Sequence, residues 1–202
     1  NVGAGVVEFL KNKHDYIQDK FGVQFEWKGV CDLRFKKQKP KDLGKILLTD
    51  DASALLDDPS IDVIVELIGG LHPAKEFVLR ALNNGKHVVT ANKALIAQCG
   101  KELFKTAQQK KRNIYFETSV LAGVPIIKTL TEGIAGNQYN GIFGIINGTC
   151  NYILSAMASE GISFDQAVKQ AQAKGFAETD PTLDINGMDS AYKLAILTYL
   201  AF

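Results

Sequence analysis

The chain has 202 residues, 46% hydrophobic and 22% charged, enough for one or two domains with a sizeable core. Its net charge of +1 supplies no field that would recruit nucleic acid or a membrane surface. No apolar run reaches the about 20 residues that span a bilayer. The cysteines Cys31, Cys99 and Cys150 are odd in number and far apart, which excludes a disulfide framework or a metal-ligand spacing and points to reduced thiols in a cytoplasmic protein.

In chain order, residues 5–20 read as a helix with Val6, Val7, Phe9, Leu10 and Ile17 on an apolar stripe. Residues 25–31 read as a strand, 35–43 as a basic loop and 52–56 as a short helix. The segment 61–68 is nearly continuous in β-branched residues and reads as a buried strand. A helix over 73–84 has Pro73 in its first turn and Gly85 just past its end. A strand at 87–90, a helix at 101–111 and a strand at 114–116 follow. This alternation predicts a Rossmann-like, doubly wound parallel sheet. The second half reads as a helix over 124–131, a Gly- and Ile-rich strand over 139–147, and helices over 149–159, 164–174 and 189–200. That pattern predicts two domains, a dinucleotide-binding α/β domain over 1–116 and an α+β substrate domain over 117–202.

Several positions carry chemistry. Asp32 and Arg34 follow the second expected strand of a dinucleotide fold, where a carboxylate suits ribose hydroxyls and an arginine accommodates a 2′-phosphate. Both are present, so NAD and NADP stay open. Ile68-Gly69-Gly70 and Thr90 fall at the carboxyl ends of expected strands, where open α/β sheets bind ligands. Glycines there let backbone approach a flat ring, although they serve equally as turn residues. Near the end of the chain, Glu178, Asp180, Asp184, Asp189 and Lys193 fall within sixteen residues. Asp189 and Lys193 are four apart on an expected helix and share a face. They can be a solvated surface pair, or an acid–lysine centre that binds a zwitterion and delivers a proton. The Asn147-Gly148-Thr149-Cys150-Asn151 run reads as a capped helix start rather than a thiol nucleophile, since no histidine is near in sequence.

Four segments together are more specific. They are the run from Gly175 through Lys193, Val65-Glu66-Leu67-Ile68-Gly69-Gly70, Val88-Val89-Thr90-Ala91-Asn92-Lys93-Ala94, and Gly144 through Leu154. Taken in chain order, they resemble the signature of homoserine dehydrogenases over nearly the whole chain. The resemblance implies NAD(P)-dependent interconversion of L-aspartate 4-semialdehyde and L-homoserine, in threonine and methionine biosynthesis. It implies Lys193 as proton donor and acceptor, Glu178 and Asp189 at the substrate ammonium with Asp184 in the same network, and Lys93 at cofactor and substrate. Gly175 is implied as a cofactor contact. Asn1, Val2 and Gly3 become the end of a phosphate loop whose first glycines and preceding strand are expected upstream of Asn1. At the other end, a further strand and more cofactor contacts are expected to follow Phe202. Glu117 with the carbonyls of Val120, Ala122 and Val124 is similar to the family's turn for a monovalent cation, Na+ or K+. A homodimer or higher homo-oligomer formed through the substrate domain is implied as well, with no nucleic acid or membrane partner. Two alternatives stand beside it: a dehydrogenase acting on another amino-acid aldehyde, and an inactive oligomerisation fragment.

Overall fold

Side-chain caps open some of the helices in the computed structural model, which describes residues 2–38, 40, 43 and 46–202. Asn92 accepts from the Leu95 N–H and opens a helix, α4, over Lys93–Lys110. Ser163 and Gln166 close a reciprocal capping box that starts another helix at Phe164. The order before α4 is α1 (Val2–Phe21), β1 (Gly29–Cys31), a 3-10 turn (Leu33–Lys36), β2 (Leu47–Thr49), α2 (Ser53–Leu56), β3 (Val63–Glu66), α3 (Ala74–Asn83) and β4 (His87–Thr90). After it come β5 (Ile114–Tyr115), α5 (Ile126–Lys128), a π-turn (Thr129–Gly133), α6 (Gly148–Glu160), α7 (Phe164–Ala173), α8 (Thr182–Ile185) and α9 (Met188–Ala201). The chain divides into two units, one running to Leu95 with Cys99–Tyr115, the other comprising Ile96–Gln98 and Phe116–Phe202.

In the first unit all strand pairing is parallel, as the alternating pattern predicts. Among the described residues it forms two sheets, β1-β2 and β3-β4-β5, rather than one. Glycine at position 29 is required by the approach of β1 to β2: a Cβ there would lie 2.8 Å from the Leu47 carbonyl oxygen and 2.8 Å from Leu55. The centre of the unit is apolar, with Ala74, Val78, Ala81 and Leu82 of α3, Val88 of β4, and Leu95 and Leu103 of α4 all buried. Arg80 of α3 reaches Asp57 and Ser53 beside α2. Lys86 is 1% exposed, and its ammonium donates to the backbone carbonyls of Asp58 and Ile61, fixing the turn before β3.

Three expectations for this unit change. The segment 61–68 forms a strand only over Val63–Glu66, and Val63 and Val65 are exposed. Alternation puts those two side chains on one, partly exposed face, while Glu66 turns inward. Only Gly29–Cys31 of segment 25–31 is strand, and Phe25 is exposed. The helix expected over 101–111 begins at Lys93, because the Asn92 cap sets its start.

The second unit is built on α6 and α7. Ile153, Ala156, Ala167, Ala171 and Ala177 form its core cluster, flanked by Tyr152, Met157, Ile162 and Val168. Alanines on the facing sides of two helices permit close approach. The strand expected over 139–147 pairs with no described residue, and Phe143 and Ile145 stand exposed. A strand is defined by its partner's hydrogen bonds, and β propensity alone does not supply one. The helix expected over 124–131 is only Ile126–Lys128 before widening into the π-turn, where the Ile134 N–H bonds the Thr129 carbonyl.

Candidate active site

Residues of the second unit assemble an acid–lysine cluster from four chain segments. Gly187, with φ +80°, turns the chain from α8 into α9 and sets Asp189 in the first turn. One turn on, Lys193 Nζ lies 2.7 Å from Asp189 Oδ2 and donates to the Ile146 carbonyl at 2.8 Å. The Asp189 side chain is 3% exposed and the Lys193 side chain 16%. The pair is therefore no solvated surface bridge: a carboxylate this buried requires a charged or hydrogen-bonded partner.

Asn147 caps α6 through its side-chain oxygen, which accepts from the Cys150 N–H at 2.7 Å. Its side-chain nitrogen donates to both Asp184 Oδ1 and Asp189 Oδ2, each at 2.8 Å. Thr149 Oγ1 lies 2.8 Å from Asp184 Oδ2 and 2.7 Å from the Phe176 carbonyl. The Cys150 thiol donates to the Asp184 carbonyl, and burial followed by the charges of Asp184 and Asp189 pushes it up, away from thiolate. That chemistry agrees with Cys150 as a non-nucleophile.

The structure thus gathers Asp184, Asp189 and Lys193. Glu178 is exposed on the loop before α8, and among the described residues its carboxylate has no hydrogen-bond or ion-pair partner; its carbonyl accepts from Gln172. Gly175 terminates α7 with φ +76° and is exposed. Asp180 accepts from the hydroxyl and N–H of Thr182 at the start of α8, and these hydrogen bonds hold its carboxyl below the usual range. Asn147 and Thr149, which sequence reasoning read chiefly as helix caps, are members of this cluster.

The first unit gathers a second set at the carboxyl ends of β3 and β4. Glu66, 3% exposed, accepts from the Thr90 hydroxyl at 2.6 Å and from the Ile68 and Gly69 N–H groups at 2.7 and 3.3 Å. Thr90 in turn accepts from the Asn92 N–H, and the Asn92 side chain donates to the Gly70 carbonyl at 2.6 Å. Gly69 and Gly70 have φ of +81° and +69° with open space where a Cβ would stand. The network holds an open glycine loop at the strand ends, which fits close approach of a flat cofactor ring. Lys93 opens α4 and is half-buried. Beyond β1, Asp32 accepts a forked hydrogen bond from Arg34, which lowers the Asp32 carboxyl. The Arg34 side chain remains 77% exposed. Val2 and Gly3 lie in the first turn of α1, and Asn1 lies outside the described residues.

At the expected cation turn, both Glu117 oxygens accept backbone N–H groups, from Ile127 at 2.8 Å and Lys128 at 2.9 Å. The Val124 carbonyl accepts from Ile126. Each of these oxygens keeps a second lone pair, and the set is chemically suited to a hard cation. Among the described residues no group of three or more His, Cys, Asp or Glu side chains could hold a metal ion.

The family profile described as homoserine dehydrogenase, NAD binding domain, matches residues 1–117, and the homoserine dehydrogenase profile matches residues 125–202. The chain belongs to the homoserine dehydrogenase family. It is 42% identical over 201 residues to the homoserine dehydrogenase of Bacillus subtilis and 45% identical over 202 residues to that of Pseudomonas aeruginosa. All of this chain aligns in both, and it spans 46% of each relative's length. A crystal structure of a homoserine dehydrogenase from Thiobacillus denitrificans superposes with a TM-score of 0.90 at 46% identity, covering 100% of this chain and 46% of that one. A hyperthermophilic archaeal homoserine dehydrogenase in complex with NADPH gives a TM-score of 0.81 at 28% identity, covering 97% of this chain and 65% of that one. The mixed α/β architecture with parallel sheets is that of the family. Among the described residues no helix is long and apolar enough to cross a membrane.

Proposed function

We propose that the whole protein interconverts L-homoserine and L-aspartate 4-semialdehyde, using NADP or NAD. The observation that carries this reading is the buried Asp189–Lys193 pair, with its amine also bonded to the Ile146 carbonyl, in a chain of this family. An ammonium has three N–H bonds. Among the described residues two of them are committed here, which leaves one for a substrate oxygen. In the oxidative direction Lys193 takes the hydroxyl proton of homoserine as the C–H hydride leaves. In the reductive direction it returns a proton to the forming alkoxide. The nicotinamide, when bound, supplies or accepts the hydride.

Glu178 and Asp189 would receive the substrate ammonium, with Asp184 and Lys93 as further binding groups. A bound cofactor would contact Gly69, Gly70, Thr90, Lys93 and Gly175, with Asn1, Val2 and Gly3 at its phosphates. The exposed guanidinium of Arg34 supports tolerance of the 2′-phosphate of NADP. Residues 1–116 then serve the dinucleotide and 117–202 the substrate. We further assign Glu117 and the carbonyls of Val120, Ala122 and Val124 to a monovalent cation. The working protein is a homo-oligomer in the cytoplasm.

The test is homoserine-dependent reduction of NADP, and of NAD in parallel, by the whole protein. Turnover with homoserine, and little with other amino alcohols, is the expected result. A folded protein that binds nicotinamide cofactor but leaves homoserine unchanged would sink the substrate assignment.

A further inference from the structure

We infer that Asn147 is a positioning residue for this reaction, acting through its amide N–H bonds rather than through its helix cap. This rests on the reading of Lys193 and Asp189 as proton-transfer and substrate groups. Two carboxylates, Asp184 and Asp189, come close enough to share one side-chain nitrogen. Like charges at such separation repel, more strongly where burial removes water. An amide nitrogen carries two hydrogens and no charge. Asn147 gives one to each carboxylate, and so holds both without neutralising either. The charge of Lys193 then remains available to a single partner, Asp189 Oδ2, the oxygen that Asn147 also contacts.

The neighbouring peptide unit reinforces the arrangement. The carbonyl immediately before Asn147, that of Ile146, receives the second N–H of Lys193. One turn of backbone therefore fixes the lysine by its acceptor and the lysine's counter-ion by its donor. Asn147 itself is 7% exposed and its three hydrogen bonds occupy its amide fully at the donor end. It touches neither Lys193 nor, in this reading, the reacting atoms; its effect passes through Asp189.

Aspartate at position 147 separates the two roles. Asn147→Asp keeps a side-chain oxygen to cap α6, and aspartate caps as well as asparagine. It removes both N–H bonds and adds a third carboxylate. Asn147→Ala removes cap and donor together without adding charge. In the whole protein, Asn147→Asp is expected to lose tenfold or more in kcat/KM for homoserine, roughly the weight of one charge-assisted hydrogen bond, while KM for the cofactor stays within about twofold. The second change Asp184→Asn, which places an amide opposite the new carboxylate, is expected to recover part of the loss. Wild-type kinetics in Asn147→Asp, or a loss larger in Asn147→Ala than in Asn147→Asp, would overturn the inference in favour of capping alone. Should the wild-type protein not turn over homoserine, the substrate reading fails by itself. Thermal unfolding of the ligand-free proteins then decides: Asn147→Asp melting below Asn147→Ala supports the donor role, and the reverse order overturns it.

Discussion

Glu66 and Asp189 are equally buried, each 3% exposed, yet different kinds of partner compensate their charge. Glu66 is held by a threonine hydroxyl and two backbone N–H groups. Asp189 is held by an ammonium and a side-chain amide. The first set of donors sits on or close to the backbone, and none of it ionises near neutral pH. That arrangement suits an anchor for a loop of fixed shape. The second set contains an acid that can give up its proton, at the end of a four-carbon stem. In one unit a buried carboxylate shapes a surface; in the other, on the reading proposed above, it poises a reagent.

The sharpest way to break this contrast is to remove the ammonium. Lys193→Met should abolish homoserine turnover by at least a factor of about 100, the contribution of a positioned proton donor. It should also destabilise the protein by about 3–5 kcal/mol, because one member of a buried ion pair is removed. Activity assays and denaturant titration check the two effects separately. A variant that kept its stability would mean that Asp189 is solvated by other groups.

On the other side of the contrast, Glu66→Ala leaves the Thr90 hydroxyl and the Ile68 and Gly69 N–H groups without their acceptor. The expected cost is at least about 2 kcal/mol of stability, with weaker cofactor binding and an unchanged KM for homoserine. Denaturation curves and both KM values read this out. A change in homoserine KM instead would erase the distinction drawn between the two carboxylates.

Gly70→Ala tests the loop that Glu66 supports. No atom obstructs the new methyl group, so the penalty is the left-handed backbone alone, about 1 kcal/mol. If the loop must keep its shape to bind, cofactor affinity falls by about fivefold, measurable by nicotinamide fluorescence. The smallest effect belongs to Arg34→Ala. Removing the forked hydrogen bond should return the Asp32 carboxyl upward toward the ordinary range of about 3.9, as NMR titration would show. A carboxyl lowered in the folded state adds stability above its unfolded pKa, and that stability is lost as pH falls through the folded value. The acid-side loss below about pH 4 should therefore shrink slightly in the variant. Discrimination between NADP and NAD should fall, chiefly through a higher KM for NADP.

Local signals made much of this legible before any coordinates. Pro73 and Gly85 bracket α3 as expected, whereas the expectation of a helix only from residue 101 misses the Asn92 cap that starts α4 at Lys93. Asp189 and Lys193 could be paired from spacing alone. What sequence could not give were partnerships that depend on distant chain. Asn147 meets its carboxylates 37 and 42 residues away, and nothing local distinguishes its cap from its clamp. Glu66 has a faint signal: one acidic residue inside the apolar run Ile64-Val65-Glu66-Leu67-Ile68, where a charge must find donors or face water. The segment 139–147 shows the opposite failure, since its composition favours a strand that no described partner completes.

The buried ammonium of Lys86 has a consequence for chemical footprinting. Amine-reactive esters are attacked only by amine nitrogens that meet the reagent in water. Lys86 is enclosed and bonded to the Asp58 and Ile61 carbonyls, so it reacts only when the turn before β3 opens. Exposed lysines such as Lys128 label at once. The delay between the two measures how often the first unit breathes, a clock already written into the protein by one hidden amine.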